Sequence, residues 1–289
     1  MTYFSIIIPV FNRASFLIHI INNLSGQYYQ HFEIIIMDDG STDHTKELAV
    51  QLTTDRIHYY YQENQGVCAA RNNGARYAKG DFLIFLDSDD LVEKNWLQDF
   101  NDVIVAENPD LVCCGVNVNK SKLNPGKKSE IENISASKIY DGLLAGAFTI
   151  RRELFFDLGL YDEKMKFGEN TELSIRIQTA GVSLGQTASY NLWYFPSSSG
   201  AGRNLLNRAE SNVHILSKHK DWFSSHPRVK RLYLQTTAVA YFKLEKYSEA
   251  RQYFFAAWKS DPYYFKSILR ILLSYLPFIA KRIWKQEQL

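Results

Sequence analysis

The 289-residue chain predicts an α/β fold, a mainly parallel sheet with helices on both faces, and three observations carry that expectation. Short, continuously apolar stretches of strand length recur, as in strands buried on both faces. Each is followed by a polar loop and then by apolar residues at helical spacing. Several of these strands stop on Asp, Asn or Arg, at the edge where open parallel sheets receive their ligands.

Phe4-Ser5-Ile6-Ile7-Ile8-Pro9-Val10-Phe11 is the first strand, and Pro9, which lacks a ladder donor, is expected to end it. Ala14 to Leu24 follows as a helix through Phe16, Leu17, Ile20, Ile21 and Leu24. Phe32 to Met37 is the second strand, ending on Asp38-Asp39-Gly40-Ser41-Thr42-Asp43, where Ser41, Thr42 or Asp43 can cap the helix Thr45 to Leu52. Ile57 to Tyr61, the helix Val67 to Ala78 and the strand Phe82 to Leu86 complete the repeat. That last strand runs into Asp87-Ser88-Asp89-Asp90.

Asp110 to Val118 reads as a further strand. Asn119 to Ser137, with Pro125-Gly126-Lys127-Lys128, reads as a loop, either at the rim of a site or a solvated excursion. Gly185 to Tyr190 and Trp193 to Phe195 read as two closing strands. Ser197 to Asn204 is small and flexible, a lid carrying Arg203 or a linker. This places an α/β domain at 1–204 and a helical region at 205–289.

A net charge of +2 with 22% charged residues excludes the marked basic excess of nucleic-acid binders. The three cysteines, Cys68, Cys113 and Cys114, lack metal-ligand spacing, and their odd, low count suits a reducing compartment. The start lacks a signal peptide's basic and apolar regions, and no apolar run reaches about 18 residues, so a cytoplasmic location is expected.

Acids gathered at a strand end repel one another, and a hard divalent cation is the usual offset. Neither GxxxxGK[ST] nor GxGxxG follows a strand. A bound nucleotide would therefore have its phosphates held by carboxylates and a metal.

Four motifs in order, Ser5 to Arg13, Asp38 to Asp43, Gly66 to Asn72 and Asp87 to Asp90, resemble family 2 glycosyltransferases of the GT-A fold over roughly the first 180 residues. The resemblance implies a metal-dependent, inverting transfer from a nucleotide-sugar, most often a UDP-sugar, to a hydroxyl of a glycan or lipid-linked acceptor. It assigns base and ribose contacts to Pro9, Val10, Phe11, Asp39 and Asp38, with Arg13 and Ser88 in the same nucleotide-sugar set. Arg71 matches the arginine that approaches the nucleotide, Asp87 the acid facing ribose and diphosphate, and Asp89 the ligand of Mn²⁺ or Mg²⁺. Read from the residues alone, Arg71 is equally a surface helix residue and Asp39 a cap before a helix. Asp90 reads as a turn or cap residue before Leu91-Val92, not as a ligand.

The family's acceptor-side helix opens on an acid pair whose second member is the general base, but here the pair reads Glu169-Asn170. An amide has no titratable form in this range, so Glu169 is the candidate base. Its alternative task is to complement the helix dipole. Glu172 and Arg176, four apart, read as a surface helix pair. His214 or His219 reads as a further metal ligand or as structural. A protein of the same fold that binds donor without effective transfer is the alternative function. A sugar nucleotidyltransferase would need a glycine-rich basic loop after the first strand, which is missing.

Leu234, Ala238, Tyr241, Tyr247, Ala250, Phe254, Ala257 and Pro262 fall at the spacing of one tetratricopeptide-like hairpin. Lys266 to Lys285 reads as a basic amphipathic helix kinked at Pro277, suited either to a membrane surface or to packing on the fold.

Overall fold

The strand–loop–helix repeats form a wound parallel sheet. The computed structural model describes residues 1–119, 131–135, 143–196 and 204–284. In it β1 (Phe4–Val10), β2 (Phe32–Asp39), β3 (Ile57–Gln62) and β4 (Phe82–Phe85) pair in parallel in the order 3-2-1-4. The intervening helices are α1 (Ala14–Ser25), α2 (Thr45–Gln51) and α3 (Val67–Tyr77). Central β1 buries Phe4, Ile6, Ile7 and Ile8 completely, which explains its unbroken apolar sequence. Helix α1 buries Leu17, Ile20, Ile21 and Leu24, one stripe at 3.6-residue spacing. Gly74 lets α3 settle on β1, since a Cβ there would lie 2.5 Å from Ile7 Cγ2.

Pro9 does not end β1. The β4 ladder stops with Ile7 opposite Phe85, while Pro9 and Val10 still register with Met37 and Asp38 of β2. Beyond Ile7 the strand has one neighbour in place of two, and a missing N–H is tolerated there.

The rest of the sheet is mixed. It adds β5 (Leu91–Val92), β6 (Leu111–Asn119), β7 (Ile131–Ile134), β8 (Phe148–Arg151) and β9 (Leu184–Tyr194), with helices α4 (Trp96–Glu107), α5 (Arg152–Asp157) and α6 (Glu169–Ala180). Strand order continues 4-8-6-9-5, with β7 on β6. Only β6–β9 is parallel among these pairs; β8 runs antiparallel to β4 and β6, β7 to β6, and β5 to β9.

Three differences from the sequence expectations stand out. The two closing strands are one, because Asn191, in the polar gap between them, is buried with its Nδ2 donating to Asp99 Oδ2 at 2.9 Å. Strand β7 lies within the stretch expected as loop, while Pro125 to Lys128 fall outside the described residues. Helix α4 and strand β5 had no sequence expectation; Trp96, Leu97, Phe100 and Ile104 bury the face of α4. Cys68, Cys113 and Cys114 are all buried, and none of the three forms a disulfide.

The chain divides into two compact units, Met1–Glu163 with Glu169–Ser198, and Lys164–Gly168 with Ser199–Leu289. The second is helical: α7 (Leu205–Lys218), α8 (Lys220–Ser225), α9 (Pro227–Lys243), α10 (Tyr247–Ser260), α11 (Lys266–Ser274) and α12 (Pro277–Trp284). Asn204 caps α7 by accepting from the N–H groups of Leu206 and Asn207. Helices α9 and α10 pair as a hairpin around Ala238, Val239, Phe242, Ala250 and Phe254. The expected single terminal helix is two, because Pro277 opens a new helix in place of kinking one.

Candidate active site at the strand ends

The carboxyl ends of β1, β2 and β4 bring together the loops that the sequence marks by their polar residues. Asn12, just past β1, takes a left-handed conformation with φ of 53°. From there its Oδ1 accepts from the N–H of Thr42 at 2.8 Å, and its own N–H donates to Ser41 Oγ at 2.9 Å. The Arg13 N–H donates to Thr45 Oγ1, so the loops after β1 and β2 are fastened to each other. At this edge Val10 is buried, Pro9 and Arg13 are half-buried, and Phe11 is exposed.

Asp38 and Asp39 close β2 and face inward. Asp38 is fully buried; Oδ1 accepts from the Ser41 N–H at 2.9 Å and Oδ2 from the Tyr59 hydroxyl at 2.8 Å. Burial and the Asp38 carboxylate raise the Tyr59 phenol, which keeps it a donor. Asp39 Oδ1 accepts from Gln62 Nε2 and the Gln65 N–H, and Oδ2 from the Gly66 N–H at 2.9 Å. Gly66, with φ of 93°, is the N-cap of α3. Asp39 thus fixes the start of the third helix and does not cap the second.

Arg71 on α3 is fully buried and is no surface residue. Its Nη2 donates to Asp87 Oδ1 and its Nη1 to Glu169 Oε1, both at 2.7 Å. The guanidinium carbon lies 5.4 Å from the centre of the Tyr161 ring. Burial alone would lower the Arg71 pKa, but Asp87 and Glu169 outweigh it and hold the pKa well above its ordinary value. The acid after β4 and the acid opening α6, 82 positions apart in sequence, therefore share one buried cation.

Ser88 is buried and Asp89 half-buried in the turn that follows. Asp90 is more than a turn residue. It is buried, its Oδ1 accepts from the Phe195 N–H at 3.1 Å, and its Oδ2 has no hydrogen-bond partner among the described residues. Burial, then Asp87, push its carboxyl pKa well up, against the lowering by that N–H. The Tyr194 phenol is also raised, by burial and by Asp90, Asp87 and Asp89, so a neutral hydroxyl stands among the carboxylates. No three His, Cys, Asp or Glu side chains form a ready cation cage among the described residues. The all-oxygen donors Asp87 and Asp89 suit a hard divalent ion whose shell is completed by a ligand's phosphates.

Beside Glu169, Asn170 Oδ1 accepts the Tyr161 hydroxyl at 2.8 Å. Tyr161 is itself buried against Phe85 and Phe155, and its backbone exchanges two 2.9 Å hydrogen bonds with Asn72. Glu172 does pair with Arg176, through Nη2 to Oε2 at 2.6 Å, but with Glu172 buried and Arg176 half-buried; Arg176 Nη1 also donates to the Leu158 carbonyl. His214 lies on α7 and His219 directly follows it, both in the helical unit, and Arg203 falls outside the described residues. Tyr161, Tyr194 and the buried role of Asp90 carry no sequence signal, since each depends on a fold partner distant in the chain.

Solved structures share this fold. Staphylococcus aureus TarS 1–349 in complex with UDP-GlcNAc superposes with a TM-score of 0.64 at 18% identity, over 97% of this chain and 87% of that one. GalNAc-T7 with UDP, GalNAc and Mn²⁺ gives 0.59 at 21% identity, over 78% of this chain and 51% of that one. Among curated relatives, glycosyltransferase GlyG of Streptococcus pneumoniae is 34% identical over 111 residues, 37% of each chain. Glycosyltransferase AglE of Haloferax volcanii is 32% identical over 197 residues, 64% of each. An uncharacterized glycosyltransferase of Rickettsia conorii, 45% identical over 98 residues, is matched over only 16% of its length. Residues 5–168, more than half of the sequence and all four motifs, match the family described as glycosyl transferase family 2, and the chain belongs to that family.

Proposed function

We propose that the chain transfers a sugar from a nucleotide-sugar, a UDP-sugar, to a hydroxyl of a glycan or lipid-linked acceptor, with inversion at the anomeric carbon. The observation that carries this reading is the Arg71 bridge, which joins the strand-end acid Asp87 to the helix-opening acid Glu169. Two groups with opposite duties, one facing the leaving diphosphate and one facing the acceptor, are thereby held in fixed relation.

Pro9, Val10, Phe11 and Arg13 form the shelf for base and ribose. Asp38 acts through the loop it holds. Asp39 Oδ2, with one hydrogen bond made, keeps a lone pair for a base N–H or a ribose hydroxyl. Asp87 and Asp89, with Ser88 between them, face the diphosphate. Mn²⁺ or Mg²⁺ held there would act as a Lewis acid on the leaving group. Glu169 Oε1 is committed to Arg71, and Oε2 takes the proton of the acceptor hydroxyl. As that proton leaves, the acceptor oxygen bonds to the anomeric carbon from the face opposite UDP. The bond from that carbon to the phosphate oxygen breaks, and its electron pair departs with UDP.

A second reading, donor binding with little transfer, draws on Asn170, an amide whose oxygen is occupied by Tyr161 where the family carries its base. Turnover separates the two. UDP release would be measured from a panel of UDP-sugars with Mn²⁺, for the native chain, Asp89→Asn and Glu169→Gln. Release from one sugar, lost in Asp89→Asn and reduced about 10²–10⁴-fold in Glu169→Gln with an acceptor present, is the expected result. Tight UDP binding without turnover would favour the second reading, and neither binding nor turnover would sink both.

A further inference from the structure

Helix α11 is built inside out. Its serines face the protein: Ser267 is 1% exposed and accepts from Gln235 Nε2 at 3.0 Å, and Ser274 is 0% exposed. Its large apolar residues face away, Leu269 at 52% and Leu272 at 60% exposure, with Ile268 beside them. Phe265, just before the helix, Leu276 after it and Phe278 in α12, at 70%, 51% and 94%, extend the same exposure. An amphipathic helix that packs on its own fold does the opposite. Among the described side chains, only Ile271 and Leu273 of α11 and Ala280 of α12 join the core of this unit. Exposed aromatic and aliphatic side chains in such number mark a surface that something else covers.

Charge identifies the cover. From Pro262 to Lys285 the sequence carries Lys266, Arg270, Lys281, Arg282 and Lys285 and not one Asp or Glu. A self-complementary protein interface would meet these cations with the same cations, whereas a bilayer offers anionic headgroups above an apolar interior. Tyr263 and Tyr275 are the amphipathic aromatic type enriched at that boundary, and Phe265 and Phe278 suit the apolar face of an interfacial helix. No described helix is long and apolar enough to cross a membrane. We infer that α11 and α12 dock the chain on an anionic lipid surface, laying Leu269, Leu272, Leu276 and Phe278 into the headgroup–acyl boundary with Lys266 and Arg282 on the headgroups. This goes beyond the transfer reading and stands whether or not the chain turns over a sugar donor.

The test is flotation of the full chain with vesicles of phosphatidylcholine alone and of phosphatidylcholine mixed with phosphatidylglycerol. Association with the mixed vesicles is expected to be at least about tenfold stronger and to weaken as salt rises. Leu269→Ser with Leu272→Ser should abolish it, and Lys266→Glu with Arg282→Glu should remove the preference for the anionic vesicles. All four positions are exposed, and unchanged circular dichroism would show the variants folded. Failure to float overturns the inference, as does equal flotation with both vesicles. Concentration-dependent self-association abolished by the leucine substitutions would give the face to a second copy and overturn it too.

Discussion

Two strand ends in this molecule carry the same sequence signature and differ in what the fold does with it. Both β2 and β4 run apolar into a cluster of acids. At β2 the acids turn inward, and each oxygen of Asp38 and Asp39 is bonded to a neighbouring loop or side chain. At β4 Asp87 and Asp89 are partly open, Asp87 is balanced by a cation borrowed from α3, and Asp90 carries an oxygen with no hydrogen-bond donor among the described residues. One cluster has its charge met mainly from within and holds the loops together, with a lone pair of Asp39 Oδ2 left over. The other is less completely satisfied by its own neighbours, the property that the proposed ligand role draws on. An acidic strand end is thus no marker of a ligand site by itself; its partners decide.

The severest way to break this contrast is Arg71→Met. It leaves Asp87 and Glu169 without the buried cation they share, which should cost about 3 kcal/mol of stability, the low end for a buried pair because solvent reaches Asp87. Chemical denaturation reads this as a shift in midpoint at unchanged slope. Arg71→Lys would keep the charge but can reach only one carboxylate well, because an ammonium lacks the fork that spans two partners. It should recover part of the stability and little of the turnover. Full turnover in Arg71→Lys would mean that the bridge is structural only.

Next in size are the β2 acids against Asp89. Asp39→Ala strips acceptors from the Gln65 and Gly66 N–H groups and should destabilise by about 2–3 kcal/mol. Tyr59→Phe, which removes one donor to Asp38, should cost about 1–2 kcal/mol. Asp89→Asn, relieving repulsion among neighbouring acids, should leave stability within about 0.5 kcal/mol of the native chain or raise it while removing metal-dependent turnover. If Asp89→Asn unfolds the protein and Asp39→Ala does not, the contrast is reversed.

How much of this is legible in the sequence follows from where each signal lives. The first four strands and three helices are written locally, in apolar runs such as Ile6-Ile7-Ile8 and the Leu17–Ile21–Leu24 stripe, and they form where expected. The mixed half is less legible because its strands take partners far apart in sequence: β6 pairs with β8 and β9, and Asn191 inside β9 reads as a break until Asp99 is seen beside it. The acids are legible as a group, but their division of labour is not. Nothing adjacent to Asp38 announces Tyr59, and nothing adjacent to Glu169 announces Arg71. In α11 the periodicity is plain, yet which face turns outward is set by the hairpin it packs on.

The smallest expected effect sharpens the acceptor side. Asn170→Asp restores the acid pair while keeping an acceptor for the Tyr161 hydroxyl, which sits at 2.8 Å from Asn170 Oδ1. Because Tyr161 is buried and its phenol is raised, chiefly by burial, it stays a donor and binds the new carboxylate. The fold should therefore accept the change. If Glu169 carries the proton, turnover with acceptor should move less than about threefold, far below what a positioned general base contributes. A rise of about 10²-fold or more would show that the productive position is the second one and that this chain works without its base. Tyr161→Phe distinguishes the cases further. It frees the oxygen at position 170, so a second gain on top of Asn170→Asp would place the reacting hydroxyl beside that oxygen, and no gain would leave it at Glu169.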